Sequence, residues 1–166
     1  NTITKRFSKI GSIPELLKED VNAVLISSVN YLSKRSSSLI NLTFKPCREI
    51  TYSPLNKTLF EWVIENLVKN SIDSMNGSGN IIISVFNNNN EIKILVKDDG
   101  NGIPPKIQKK IFNSGFTSKK KGWGLGLSLS KRIINQYHNG KIFIKESDRK
   151  KGTSIEIKLP VFKGNY

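Results

Sequence analysis

The chain is expected to fold as an α+β two-layer sandwich, a mixed and mostly antiparallel sheet backed by about three helices. Three observations predict it. Residues 19–35, 56–75 and 125–138 carry apolar side chains at helical spacing. Short apolar or alternating runs at 81–86, 91–97, 141–145 and 153–159 come in pairs around polar turns, the pattern of antiparallel hairpins. Helices interleaved with hairpin pairs bury their apolar stripes by lying together on one face of a sheet.

The elements follow in order. Residues 1–14 are polar and end at Gly11 and Pro14; residues 1–18 are read as the tail of a preceding helical or linker segment, and 19–166 as the domain. The first helix takes its stripe from Val21, Val24, Leu25, Val29 and Leu32. Residues 39–45 and 49–52 read as strands, and Pro54 breaks the chain. The second helix closes at Asn76-Gly77. The polar tract 87–90 joins a hairpin, and Pro104-Pro105 opens a short helix ending near Phe112. The third long helix stops at Asn139-Gly140, and residues 147–152 turn between the closing strands.

Composition limits what such a fold does. The 166 residues suffice for one core, 37% are hydrophobic, and no apolar run approaches the roughly 18 residues of a membrane span. A chain that starts at Asn1, with Met75 its only methionine, reads as a piece of a longer protein. Cys47 stands alone, so no internal disulfide forms, and it reads as structural or incidental. The net charge of +14 raises nucleic-acid binding. The cations are scattered, however, without stacking aromatics or zinc-ligand spacing. A basic surface facing a polyphosphate and an acidic partner is the better reading.

Four segments carry chemistry. The run Lys119-Lys120-Lys121-Gly122-Trp123-Gly124-Leu125-Gly126-Leu127 sets backbone amides and ammonium groups before a helix, a cradle for phosphates. Its spacing fits neither G-x-x-x-x-G-K-[ST] nor G-x-G-x-x-G. Its glycines and lysines predict a loop of low local stability that orders over a ligand. Asn66, Asn70 and Asp73, spaced four and three, share a helical face whose hard oxygen donors suit Mg²⁺. Asp98-Asp99-Gly100-Asn101-Gly102 ends a strand in a carboxylate able to accept from an exocyclic amine, with glycines that let a flat base come close. Gly152-Thr153 offers a hydroxyl from the last strand.

In this order the segments resemble the GHKL ATPase superfamily. Asn66-Leu67-Val68-Lys69-Asn70-Ser71-Ile72-Asp73 is similar to its N box, Asp98 to Gly102 to its G1 box, and Ile111-Phe112 through Phe116-Thr117 to its F box. Gly122-Trp123-Gly124-Leu125-Gly126-Leu127 resembles the G2 box, and Gly152-Thr153 the last glycine motif. The F box and the G-x-G-L-G-L form point to the catalytic ATP-binding domain of bacterial sensor histidine kinases. The resemblance implies a Bergerat fold with a flexible ATP lid, and ATP and Mg²⁺ as cofactors. It implies Asn66 and Asn70 as catalytic residues, with Asn70 the Mg²⁺ ligand and Asn66 supporting the ion or its waters. Asp98 then binds the adenine amine, with Gly100 and Gly102 beside the base and Thr153 assisting. Lys119, Lys120, Lys121, Gly122, Gly124, Leu125, Gly126 and Leu127 then hold phosphates.

Three departures stand out. Trp123 replaces a small hydroxyl residue. Asp73 and Ser74 stand where many sensor kinases have Lys and an aromatic. The only histidine, His138, sits at a helix end and reads as structural, so a phosphoacceptor is missing. The resemblance therefore implies transfer of the γ-phosphoryl group to a histidine on a separate dimerisation domain, then to a response regulator receiver domain. It implies a cytoplasmic location, including the cytoplasmic part of a membrane-anchored sensor, without direct nucleic-acid or membrane contact by this domain. Two alternatives remain at this point: a GHKL conformational clamp like topoisomerase or chaperone relatives, and a basic binding module with a degenerate nucleotide site.

Overall fold

The structure, a computed structural model, describes residues 14–88, 90–117 and 124–164. A short strand β1 (Leu17–Asp20) leads into helix α1 (Val21–Ser33). Asp20 caps that helix, accepting from the Asn22 N–H at 2.9 Å. Strands β2 (Ile40–Lys45) and β3 (Tyr52–Leu55) precede helix α2 (Lys57–Ser74). The hairpin β4 (Gly79–Asn87) and β5 (Glu91–Asp98) follows, then a single turn α3 (Pro105–Gln108) and helix α4 (Gly126–Arg132). A π-helical turn (Ile133–Tyr137) extends α4 before the hairpin β6 (Lys141–Asp148) and β7 (Gly152–Pro160).

Five strands form one open sheet in the order β2-β4-β5-β7-β6. Only the β2–β4 pairing is parallel, so the sheet is mixed and mostly antiparallel, as expected. Period-two alternation sends Ile81, Ile83 and Val85 of β4, Ile92, Ile94 and Val96 of β5, and Ile155, Ile157 and Leu159 of β7 to one buried face. Register aligns these rows: Ile83 faces Val96, and Val96 faces Ile155. Val24 and Leu25 of α1, Phe60, Ile64 and Leu67 of α2, and Ile133 and Ile134 cover them in one core. Each fully buried Ile, Leu or Phe contributes about 1.5–3 kcal/mol of transfer free energy.

Two expectations differ. The strand predicted at 49–52 lies at Tyr52–Leu55, and Pro54 is inside it rather than breaking the chain. It pairs antiparallel with β1 in a separate two-stranded ribbon, where a missing N–H is tolerated. The third long helix is also not α-helical to its end. The N–H of His138 bonds the Ile133 carbonyl five residues back at 3.1 Å, which widens the last turn.

That wide turn places the fully buried His138 ring. Nδ1 lies 2.9 Å from the Ile133 carbonyl, and Nε2 accepts the Asn56 N–H at 3.0 Å. The proton therefore sits on Nδ1, and the ring ties the end of the last helix to the start of α2. Burial pushes the imidazole below its ordinary value of 6.5, because the charged form loses water and would place a second donor against the Asn56 N–H. The unfolded chain takes up this proton before the folded one does. Stability from His138 is thus complete above the ordinary value and is lost as pH falls below it. Urea melts should show stability falling between about pH 7 and pH 5 with a steeper slope for the native chain than for His138→Gln. Equal slopes would contradict the buried neutral ring.

Candidate functional site

The end of β5 carries the centre of the site. Its alternation continues past Val96, so Asp98 projects onto the helix-covered face and is only 5% exposed. Asp99 points the opposite way, exposed, and accepts from the Asn80 N–H at 2.9 Å and from Asn80 Nδ2 at 2.7 Å. The Asn80 side chain, then its backbone N–H, holds the Asp99 carboxyl below the usual range. Strand geometry thus separates two adjacent aspartates into one buried and one solvated.

A buried carboxylate needs donors. Ser71 Oγ on α2 donates to Asp98 Oδ2 at 2.8 Å. Oδ1 accepts from the Gly100 N–H at 3.0 Å and the Thr153 N–H at 3.2 Å. Ser74 Oγ also lies 3.4 Å from Oδ1, but its one proton goes to the Ser71 carbonyl at 2.9 Å. Among the described residues three of about four acceptor positions are therefore filled, and the one left is on Oδ2. Ser71 had no sequence signal beyond its place beside Asn70. Ser74 is explained by its neighbour: a Cβ on Gly100 would collide with the Ser74 hydroxyl, so this spot is closely packed.

Backbone lies on backbone around this carboxylate. Gly102 has φ +67°, and a Cβ there would run into the Asp148 carbonyl; Gly152 has φ +79°, and its Cβ would run into the Asp98 carbonyl. The Ile103 N–H donates to Ser147 Oγ at 2.7 Å, Ser147 Oγ lies 2.9 Å from Thr153 Oγ1, and Gln108 Nε2 donates to the Ile103 carbonyl at 2.8 Å. Thr153 therefore reaches Asp98 through its main chain, while its hydroxyl is engaged with Ser147. Asp98, Gly100, Gly102 and Thr153 are brought together as one cluster.

The second cluster sits further back along α2. Asn66 Nδ2 donates to Ser130 Oγ at 3.0 Å, and Ser130 is fully buried. A Cβ on Gly126 would collide with Asn66 Oδ1. The Gly115 N–H donates to the Gly124 carbonyl at 3.0 Å, and Gly124 has φ +65°. Leu125 is exposed, Leu127 packs against the core, and Asn70 is half-buried between the two clusters. Phe112 also packs on the core, as expected. Lys119, Lys120, Lys121, Gly122 and Trp123 lie outside the described residues.

The close approach at Gly152 separates two kinds of glycine. Gly77 has φ +84° with open space around it. Gly77→Ala should cost about 1 kcal/mol for backbone strain, and Gly152→Ala at least about 2 kcal/mol because the Asp98 main chain must also move. Thermal melts of the two variants check this; equal losses would contradict the close packing of β7 on the Asp98 turn.

Comparison with known proteins fits this geometry. Residues 56–163 match the family described as histidine kinase-, DNA gyrase B-, and HSP90-like ATPase. Sporulation kinase D of Bacillus subtilis (strain 168) is 34% identical over 167 residues, covering 97% of this chain and 32% of that protein. Sporulation kinase C of the same organism is 37% identical over 158 residues, covering 92% and 34%. The chain thus spans about a third of the length of these relatives. The catalytic domain of histidine kinase ThkA, in a nucleotide-free form, superposes with a TM-score of 0.79 at 27% identity, covering 89% of this chain and 96% of that one. The chain belongs to the histidine kinase-, DNA gyrase B-, and HSP90-like ATPase family, as an ATP-binding catalytic domain of the histidine kinase type.

Proposed function

We propose that this domain binds Mg·ATP and transfers the γ-phosphoryl group to a histidine on a dimerisation domain of its parent protein, for relay to a response regulator. The observation that carries the reading is the open acceptor position on the buried Asp98 carboxylate. It sits at the end of a strand, between α2 and glycine turns that bring backbone close. A carboxylate so placed accepts from the adenine amine and offers nothing to a guanine carbonyl.

The other parts follow along α2. Ser71 at the Asp98 cluster and Asn66 at the Gly126 cluster are five residues apart, about 7.5 Å of helix. A nucleotide lying along that helix carries its base at Asp98 and its phosphates toward residues 124–127. Asn70, between the clusters, is the residue to hold Mg²⁺ through its side-chain oxygen. Among the described residues no three carboxylate, imidazole or thiol groups converge on a metal site. Bound there, the cation would be held mostly by phosphate oxygens and water, the usual habit of Mg²⁺. When bound it supplies charge neutralisation on the phosphates. The chain's own residues orient the nucleotide and exclude water, so catalysis is mainly positioning.

In the transfer, the bond between the γ-phosphorus and its bridging oxygen breaks and a phosphorus–nitrogen bond forms on the acceptor imidazole. ADP leaves and the imidazole gives up its proton. His138 cannot be that acceptor, since both ring nitrogens are engaged inside the core. One structural relative is a complex of histidine kinase ThkA with response regulator protein TrrA, a likeness at 24% identity that concerns the fold alone. It indicates the kind of partner to test. Among the described residues no helix is long and apolar enough to cross a membrane; placement of the parent at the cytoplasmic side is part of the proposal.

Incubating the domain with γ-labelled Mg·ATP and the parent's dimerisation domain should give acid-labile label on the latter, and no transfer would contradict the reading. Asp98→Asn should weaken ATP binding about tenfold or more in calorimetry, since an amide can turn a donor toward the N6 amine. Unchanged affinity would remove Asp98 from the base site. Replacing Lys119, Lys120 and Lys121 by Ala should weaken ATP more than adenosine; equal effects would contradict their phosphate role.

A further inference from the structure

The Asn66 amide spans one turn of α4. Its nitrogen donates to Ser130 Oγ at 3.0 Å, and its oxygen lies 2.4 Å from where a Cβ on Gly126 would be. Gly126 and Ser130 are four residues apart, on one face of that helix. Ser130 is fully buried and Asn66 half-buried, so the bond is partly shielded from water. Asn66 is also four residues before Asn70, one turn back on the same face of α2. A carboxamide has no basic lone pair near neutral pH, so this side chain is no general base.

We propose that Asn66 is a positioning residue. Through Ser130 and Gly126 it sets the distance between Asn70 on α2 and the phosphate-facing segment 124–127, and it is not itself a metal ligand. The inference rests on the nucleotide-binding reading above and deepens it. A side chain at 126 would push α4 off the amide, and loss of the Ser130 hydroxyl would take away the partner of the half-buried Asn66 donor. Either change moves the phosphate segment relative to Asn70 while leaving the Asp98 cluster as it is.

The test is a double-mutant cycle with Asn66→Ala and Ser130→Ala, read by calorimetry with Mg·ATP and with adenosine, alongside melting temperatures and Mg²⁺ titrations. Each single variant should weaken Mg·ATP by about threefold to tenfold and leave adenosine unchanged. The double variant should lose no more than the worse single one, because the two residues form one contact. Additive losses would overturn the proposal, as would equal losses for ATP and adenosine, which mark general destabilisation. Asn66→Ala raising the Mg²⁺ requirement while Ser130→Ala leaves it unchanged would also overturn it, by making Asn66 a ligand. Failure of the unaltered domain to bind Mg·ATP would instead bring down the nucleotide-binding reading, and this proposal with it.

Discussion

A carboxylate buried on the helix side of a sheet has to be satisfied, and Asp98 draws three parts of the chain together to do it. Ser71 reaches from α2, the Gly100 N–H turns back from the loop that follows β5, and the Thr153 N–H comes across from β7. Leaving such a group without these donors costs several kcal/mol, enough to remove much of a small domain's stability. The requirement dictates glycine at 100 and at 152, since either Cβ would meet an atom that the arrangement needs in place. The same packing leaves one acceptor position on Oδ2. On the proposed reading, the architecture that secures the carboxylate also selects its ligand, a donor on a flat base that enters beside the glycine turns.

The helix α2 is the common support. Its buried face anchors the sheet through Phe60, Ile64 and Leu67, and its polar positions serve both clusters. Ser71 serves Asp98, and Asn66 serves α4. The start of α2 is fixed in turn by Asn56, whose N–H is taken by His138 and whose side chain accepts from the Leu59 N–H. A histidine that lacks any reacting partner thus stabilises the helix on which the site is built. This accounts for a lone histidine in a domain whose proposed chemistry acts on histidine elsewhere.

Much of this was legible in the residues, and the exceptions have physical causes. Long-period patterns carried the helices, and hairpin pairs carried the antiparallel part of the sheet. The alternation Ile92, Ile94, Val96 even carries the orientation of Asp98 against Asp99. Strand β3 was misplaced because its inward residues Ser53 and the preceding Thr51 are polar though fully buried, so no apolar alternation marked it. Their hydroxyls instead donate to the Pro160 and Glu49 carbonyls. At the π turn Ile133–Tyr137 the main-chain N–H and ring Nδ1 of His138 both meet the Ile133 carbonyl, while ring Nε2 takes the Asn56 N–H from 82 positions away, a contact that no local pattern encodes. Ser71, Ser130 and Ser147 were missed as site residues because a serine's role depends on which buried group it faces. Motif resemblance supplied Asn66 as a catalytic residue; the bond to Ser130 is visible only in three dimensions.

The central claim is that Asp98 reads one hydrogen-bond donor on the base. The most direct test compares, by calorimetry on the unaltered domain, ATP with the purine riboside triphosphate that lacks only the 6-amino group. An acceptor left unpaired in a buried site should weaken the second ligand by about tenfold to a hundredfold while its phosphate contacts persist. Equal affinities for the two nucleotides would contradict the account at its root.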